Sequence, residues 1–175
     1  FPQGYYLHHG HGWVRLETDG EVRIGLDAFA SKLLGSLETV ALPLMGKSLV
    51  RGRGAVGLGR QAWRATLAAP VSGVVTAANP RVMEDPGLVR KDPYGEGWLL
   101  MAHAEDLRDD MRSLLMGGEV TDHLASEIEA LHETIEEQLG PLAADGGQLG
   151  DDILGHLPYG CWDAVAHRFL GGPAA

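Results

Sequence analysis

Cysteine is nearly absent from this chain: Cys161 stands alone among 175 residues. A lone cysteine excludes an internal disulfide, so the fold has to be held by packing, and the length is sufficient for that. Long apolar runs are absent too. None approaches the roughly 20 residues that a spanning helix needs, so no membrane insertion is expected. No secretory leader is recognisable, and the cytoplasm is the expected compartment. The chain starts at Phe1 rather than Met, which leaves an upstream module or signal open. No long internal repeat is found.

Positive charge is scarce in one region only. Residues 1–118 hold 13 acidic and 13 basic side chains, whereas residues 119–175 hold 11 acidic ones and the single base Arg168. The whole net charge of −10 therefore belongs to the last third. This shift divides the chain into a neutral unit, 1–118, and an acidic tail, 119–175. Such a tail repels phosphate, so nucleic acid is not an expected partner. Charge complementarity suggests that the tail packs on its own first unit near basic residues, or that both are offered to partners of opposite sign.

What is present reads as short strands and turns, then helices. Trp13 to Glu17 and Val22 to Leu26 alternate apolar and polar residues across Asp19-Gly20, a hairpin signal. Asp27 is placed to cap a helix through Phe29, Ala30, Leu33 and Leu34, ended by Gly35. Further strands are expected at Glu38 to Leu42, Val74 to Ala77 and Trp98 to Ala102. A Gly-rich stretch from Lys47 to Gly59 reads as turn and strand. Short helices are expected over Arg81 to Leu88 and Asp106 to Leu115. In the tail, Leu124, Ile128, Leu131, Ile135 and Leu139 form one helical stripe. Ala143 to Asp152 reads as a polar turn, and Trp162, Val165, Ala166 and Phe169 as a final amphipathic helix.

Three stretches resemble the glycine cleavage system H-protein family: His11-Gly12-Trp13-Val14-Arg15; Ile24-Gly25-Leu26 with Phe29-Ala30, Leu34-Gly35 and Leu42-Pro43; and Asn79 to Leu100, which includes Asp92-Pro93-Tyr94-Gly95-Glu96-Gly97-Trp98-Leu99. The resemblance spans about residues 5–118. It implies a mainly β (α+β) fold, a lipoyl-like barrel-sandwich hybrid with short flanking helices, here extended by a C-terminal helical part. It also implies a lysine on an exposed hairpin that carries lipoate through an amide. Counted back from Pro70 and forward from Gly46-Lys47, that position falls on Ala62, within Gly59-Arg60-Gln61-Ala62-Trp63. Alanine has no amine to acylate. The only lysines are Lys32, Lys47 and Lys91, all outside this hairpin. Arginine guanidiniums stay protonated and do not substitute.

The expected function is therefore a non-lipoylated, non-enzymatic H-protein relative that binds proteins and holds no cofactor. The alternative is a genuine lipoyl carrier. Trp63, Arg60 and Arg64 are the candidate protein-binding residues, since Trp and Arg dominate binding hot spots. Two-residue alternation along the strip would put Arg60, Ala62 and Arg64 on a solvent face and Trp63 under cover. Arg51 and Arg53 would join them through strand pairing.

Other candidates give less. His8, His9 and His11 lack a further ligand at suitable spacing, so no metal site is expected. The run from Asp145 to Asp152 lacks calcium-loop spacing. Cys161 has no local base. Gly52, Gly54, Gly57 and Gly59 lack the strand, loop and helix context of a phosphate cradle.

Overall fold

A computed structural model describes residues 1–139 and 152–170. Among the described residues nine strands form two sheets. In chain order they are β1 (Tyr5–Leu7), β2 (Gly12–Leu16), β3 (Glu21–Leu26), β4 (Thr39–Ala41), β5 (Ser48–Leu49), β6 (Gly54–Arg60), β7 (Trp63–Ala68), β8 (Gly73–Ala78) and β9 (Leu100–Ala104). One sheet has the order β1-β2-β3-β9-β8-β5 and the other β4-β6-β7, with every pairing antiparallel. The two sheets form an open sandwich, and no closed barrel forms among the described residues.

The helices are α1 (Ala28–Leu34), α2 (Pro80–Glu84), α3 (Leu88–Lys91), α4 (Leu107–Met111), α5 (Gly118–Leu139), α6 (Ile153–His156) and α7 (Trp162–Leu170). Local chemistry sets their ends. Asp27 Oδ1 accepts from Ala30 N at 2.8 Å and starts α1, and Gly35 ends it at φ 68°. The helix expected over Arg81 to Leu88 is instead two short ones. Asp85-Pro86-Gly87 splits it, because proline disfavours a helical residue before it and clashes with the preceding turn.

The Asp92 to Leu99 run is a structural joint. Trp13 Nε1 donates to Leu26 O at 3.1 Å and Pro93 O at 3.0 Å. Tyr5 Oη donates to Tyr94 O at 2.8 Å, and Ala28 N to Tyr94 Oη at 3.1 Å. Burial pushes the Tyr94 hydroxyl up to about 12, so it stays a neutral acceptor for α1. Asp92 Oδ2 accepts from Glu96 N at 2.7 Å, and Asn79 Nδ2 reaches Glu96 O and Trp98 O. This loop ties the edge of the larger sheet to α1, and Gly25 leaves room for the Trp13 ring above it.

One apolar core runs through the sandwich and into the helices. Leu26, Leu33, Leu58, Leu67 and Leu99 are fully or almost fully buried, and Leu131, Leu154, Trp162, Val165, Phe169 and Leu170 belong to the same cluster. α7 packs on β7, α6 on α1, and α7 touches α5. The apolar stripe of α5 is buried at Leu131 and Ile135, while Leu124 and Ile128 are half-buried. The described residues contain no helix long and apolar enough to cross a membrane. Of the polar turn expected over Ala143 to Asp152, residues 143–151 lie outside the described residues, and Asp152 caps α6.

Candidate functional site

β6 and β7 form a hairpin whose strands alternate: Val56, Leu58, Trp63, Ala65 and Leu67 are buried, and small or polar residues lie between them. Arg60 pairs directly with Trp63, which leaves Gln61-Ala62 as a two-residue turn at the tip. Gln61 takes a positive φ of 52°, the left-handed conformation such turns require of a central residue. Glu38 Oε2 accepts from Gln61 N at 3.0 Å and steadies the turn. Gln61, Ala62 and Arg64 are exposed. Arg64 Nη1 folds back to donate to Gln61 O and Trp63 O, both at 2.7 Å. Neither side chain of the turn has an aliphatic amine, so an amide-linked group has nothing to join there.

Arg60 is not on the solvent face. Residues paired across a hairpin share a face, so the turn puts Arg60 beside Trp63 and not with Arg64. The alternation expected along the strip holds within each strand but not through the turn. Arg51 and Arg53 precede the start of β6, about 20 Å along the strand from the tip at roughly 3.3 Å per residue. They do not join the hairpin residues there. Arg51 donates instead to Asp109, Asp110 and Ser113 around α4.

The face shared by Arg60 and Trp63 is covered by the C-terminal helices. Trp63 is 3 % exposed, and its ring meets Trp162 edge-on at 6.0 Å and 81°. The Arg60 guanidinium lies over the Trp162 ring at 5.1 Å and donates to Leu34 O at 2.9 Å. It grips Asp152 with both terminal nitrogens, Nη2 to Oδ2 at 3.0 Å. This bond holds the Asp152 carboxyl below the usual carboxylate range, against a smaller opposing push from burial. Asp152 also caps α6 by accepting from Gly155 N, and its own N–H donates to Lys32 O at 2.9 Å. Gly35 is needed where these groups meet. Its φ is positive, and a Cβ there would run into the Asp152 carboxylate and the Arg60 guanidinium.

Neither Asp152 nor Trp162 stands out in the sequence as a site residue. Asp152 looks like one more acid in a polar turn, and Trp162 like the core of an amphipathic helix. The acidic tail beside a basic hairpin was the one available signal.

A second polar cluster ties α5 to the sandwich. His11 is fully buried, with Nδ1 3.0 Å from Asp27 Oδ2 and Nε2 3.5 Å from Glu127 Oε2. Burial alone would lower its pKa, but Asp27 and then Glu127 outweigh it and push it up to about 9. The ring stacks on Phe29 at 4.7 Å and faces His123 at 5.9 Å. His8 goes the other way: burial, then His9, Arg51 and His11, bring it down to about 4. The imidazolium of His11 between two carboxylates is an ion-paired clasp. No three His, Cys, Asp or Glu side chains among the described residues are arranged to hold a metal ion.

Comparison with known proteins agrees with this architecture. The family model described as "Glycine cleavage H-protein" matches residues 5–127. The glycine cleavage system H protein of Alkalilimnicola ehrlichii is 33 % identical over 126 residues, 72 % of this chain and 96 % of that protein. The one from Mycobacterium avium is 42 % identical over 96 residues, 55 % of this chain and 73 % of that protein. The crystal structure of a glycine cleavage system H protein from Mycobacterium marinum superposes with a TM-score of 0.65 at 27 % identity, over 71 % of this chain and 99 % of that one. With a family model matched along well over half its length and a sandwich of the same shape, the chain belongs to the glycine cleavage H-protein family.

Proposed function

We propose that this chain is a non-lipoylated member of the family that acts as a cytoplasmic protein-binding module, with 1–118 as its H-protein-like unit and 119–175 as an acidic tail. The observation that carries the reading is the exposed Gln61-Ala62 turn, which offers no amine where the family resemblance expects the lipoyl lysine. The proposal assigns the chain no cofactor and no chemistry of its own. A partner that meets the hairpin as described touches Gln61, Ala62 and Arg64, because Trp63 and Arg60 are covered.

The relatives' shared name favours a second reading, a lipoyl carrier of glycine cleavage. That reading needs another lysine. Lys91 is paired with Asp85 at 3.1 Å, and Lys32 sits on α1 beside the Asp152 contact. Lys47 is exposed in the Leu44 to Lys47 turn and is where a lipoyl group would be sought first. The test is the intact mass of the full chain after co-production with a lipoate ligase and lipoate. The proposal expects no change. A gain of one lipoyl group overturns it.

A further inference from the structure

We propose that α6 and α7 hinder acyl-transfer enzymes at the hairpin: they close one of its two faces, so that a lysine restored at position 62 would be acylated only slowly on the folded chain. This rests on the reading that the Gln61-Ala62 turn is the degenerate attachment point. The two residues that flank the turn, Arg60 and Trp63, are both fixed on the covered face. Asp152 and Leu34 O hold the first, and Trp162 lies across both.

The seat is built for this cover. Gly35 gives up its Cβ exactly where Asp152 and Arg60 meet. Trp63 Nε1 is buried without a hydrogen-bond partner among the described residues, a cost accepted for the closed arrangement. Leu154, Trp162, Val165, Phe169 and Leu170 are all buried, so the cover is part of the apolar core.

An enzyme that acylates one side chain must still recognise the folded hairpin around it. A specific protein interface takes about 800 Å² from each partner, far more than a two-residue turn offers. With one face closed, what remains is the tip and the Arg64 edge. In the hindered step the lysine Nζ would attack the carbonyl carbon of lipoyl adenylate. The amide bond would form, the bond from that carbon to the phosphate oxygen would break, AMP would leave, and two protons would pass from the ammonium to solvent.

The experiment uses the full-length chain with lipoate ligase, ATP and lipoate, and reads acylation on the peptide that contains residue 62. Two chains are compared: Ala62→Lys alone, and Ala62→Lys combined with Asp152→Asn and Trp162→Ala. The expected result is at least tenfold slower acylation of the first. Ala62→Lys with Phe169→Ala is a second opened chain in case the first fails to fold, with circular dichroism reporting the fold. Equal rates in covered and opened chains overturn the proposal, and so does a lack of acylation in folded opened chains. Acylation of the unaltered chain at Lys47 would instead overturn the non-lipoylated reading and leave the rate comparison at position 62 intact.

Discussion

The side chain at position 62 decides what the hairpin can be chemically, and its neighbours decide what can reach it. Arg60 illustrates the limit of reading residues in line. Along the sequence it alternates with Ala62 and Arg64. Across the turn it pairs with Trp63 and takes that residue's environment. Gly35 was legible as a helix end, but its second duty, leaving space for Asp152, depends on a residue 117 positions away and has no local signature. Gly35→Ala should destabilise the chain by roughly 1–3 kcal/mol through the positive φ alone, measured as urea unfolding free energy, and more if the Arg60 contact is lost. His11 gives a pH prediction. Its folded pKa, about 9, lies above the ordinary value of 6.5, so its stabilisation is complete below pH 6.5 and is lost as pH rises through 9. A shift of this size corresponds to about 3 kcal/mol. His8 is lowered to about 4, so stability also falls as pH drops from 6.5 toward 4. Unfolding midpoints against pH should peak near pH 6.5 to 7. Glu127→Gln should flatten the alkaline limb, and an unchanged limb would count against the clasp.

The elements show which signals are local. The Asp27 cap, the Asp19-Gly20 turn and the alternating strands were readable because each depends on neighbours in sequence. The split between α2 and α3 was signalled by Pro86-Gly87 but merged into one helix, since the apolar spacing ran through it. α5 was legible as an amphipathic helix, but not the way it sits. His123 and Glu127 turn toward the sandwich to meet His11, and Leu124 and Ile128 stay half-exposed. For α7 the pattern gave the buried face and left its seat on β7 undetermined. Phe169→Ala, which empties a site 2 % exposed, should cost about 3–5 kcal/mol and raise the emission wavelength of Trp63 and Trp162 as the cover loosens. Loss of stability without any change in tryptophan emission would mean that α7 does not shield the hairpin.

Across the whole molecule, the family likeness spans residues 5–127, and the C-terminal helices pack onto the same core. The Asp92 to Leu99 loop joins β1, β2 and α1 through Trp13, Tyr5 and Tyr94, so its hydrogen bonds serve the sandwich and do not involve the hairpin. The acidic tail sends Asp152 and Trp162 onto the Arg60 and Trp63 face, which joins the two ends of the charge asymmetry in one contact. The account stands on the claim that this hairpin bears no lipoyl group. The most direct measurement is the intact mass of the full chain recovered from its own cells, with peptide mapping of residues 54–68 and of Lys47. The account predicts the unmodified mass and an unmodified hairpin peptide. A lipoyl group on any lysine of the chain would contradict it.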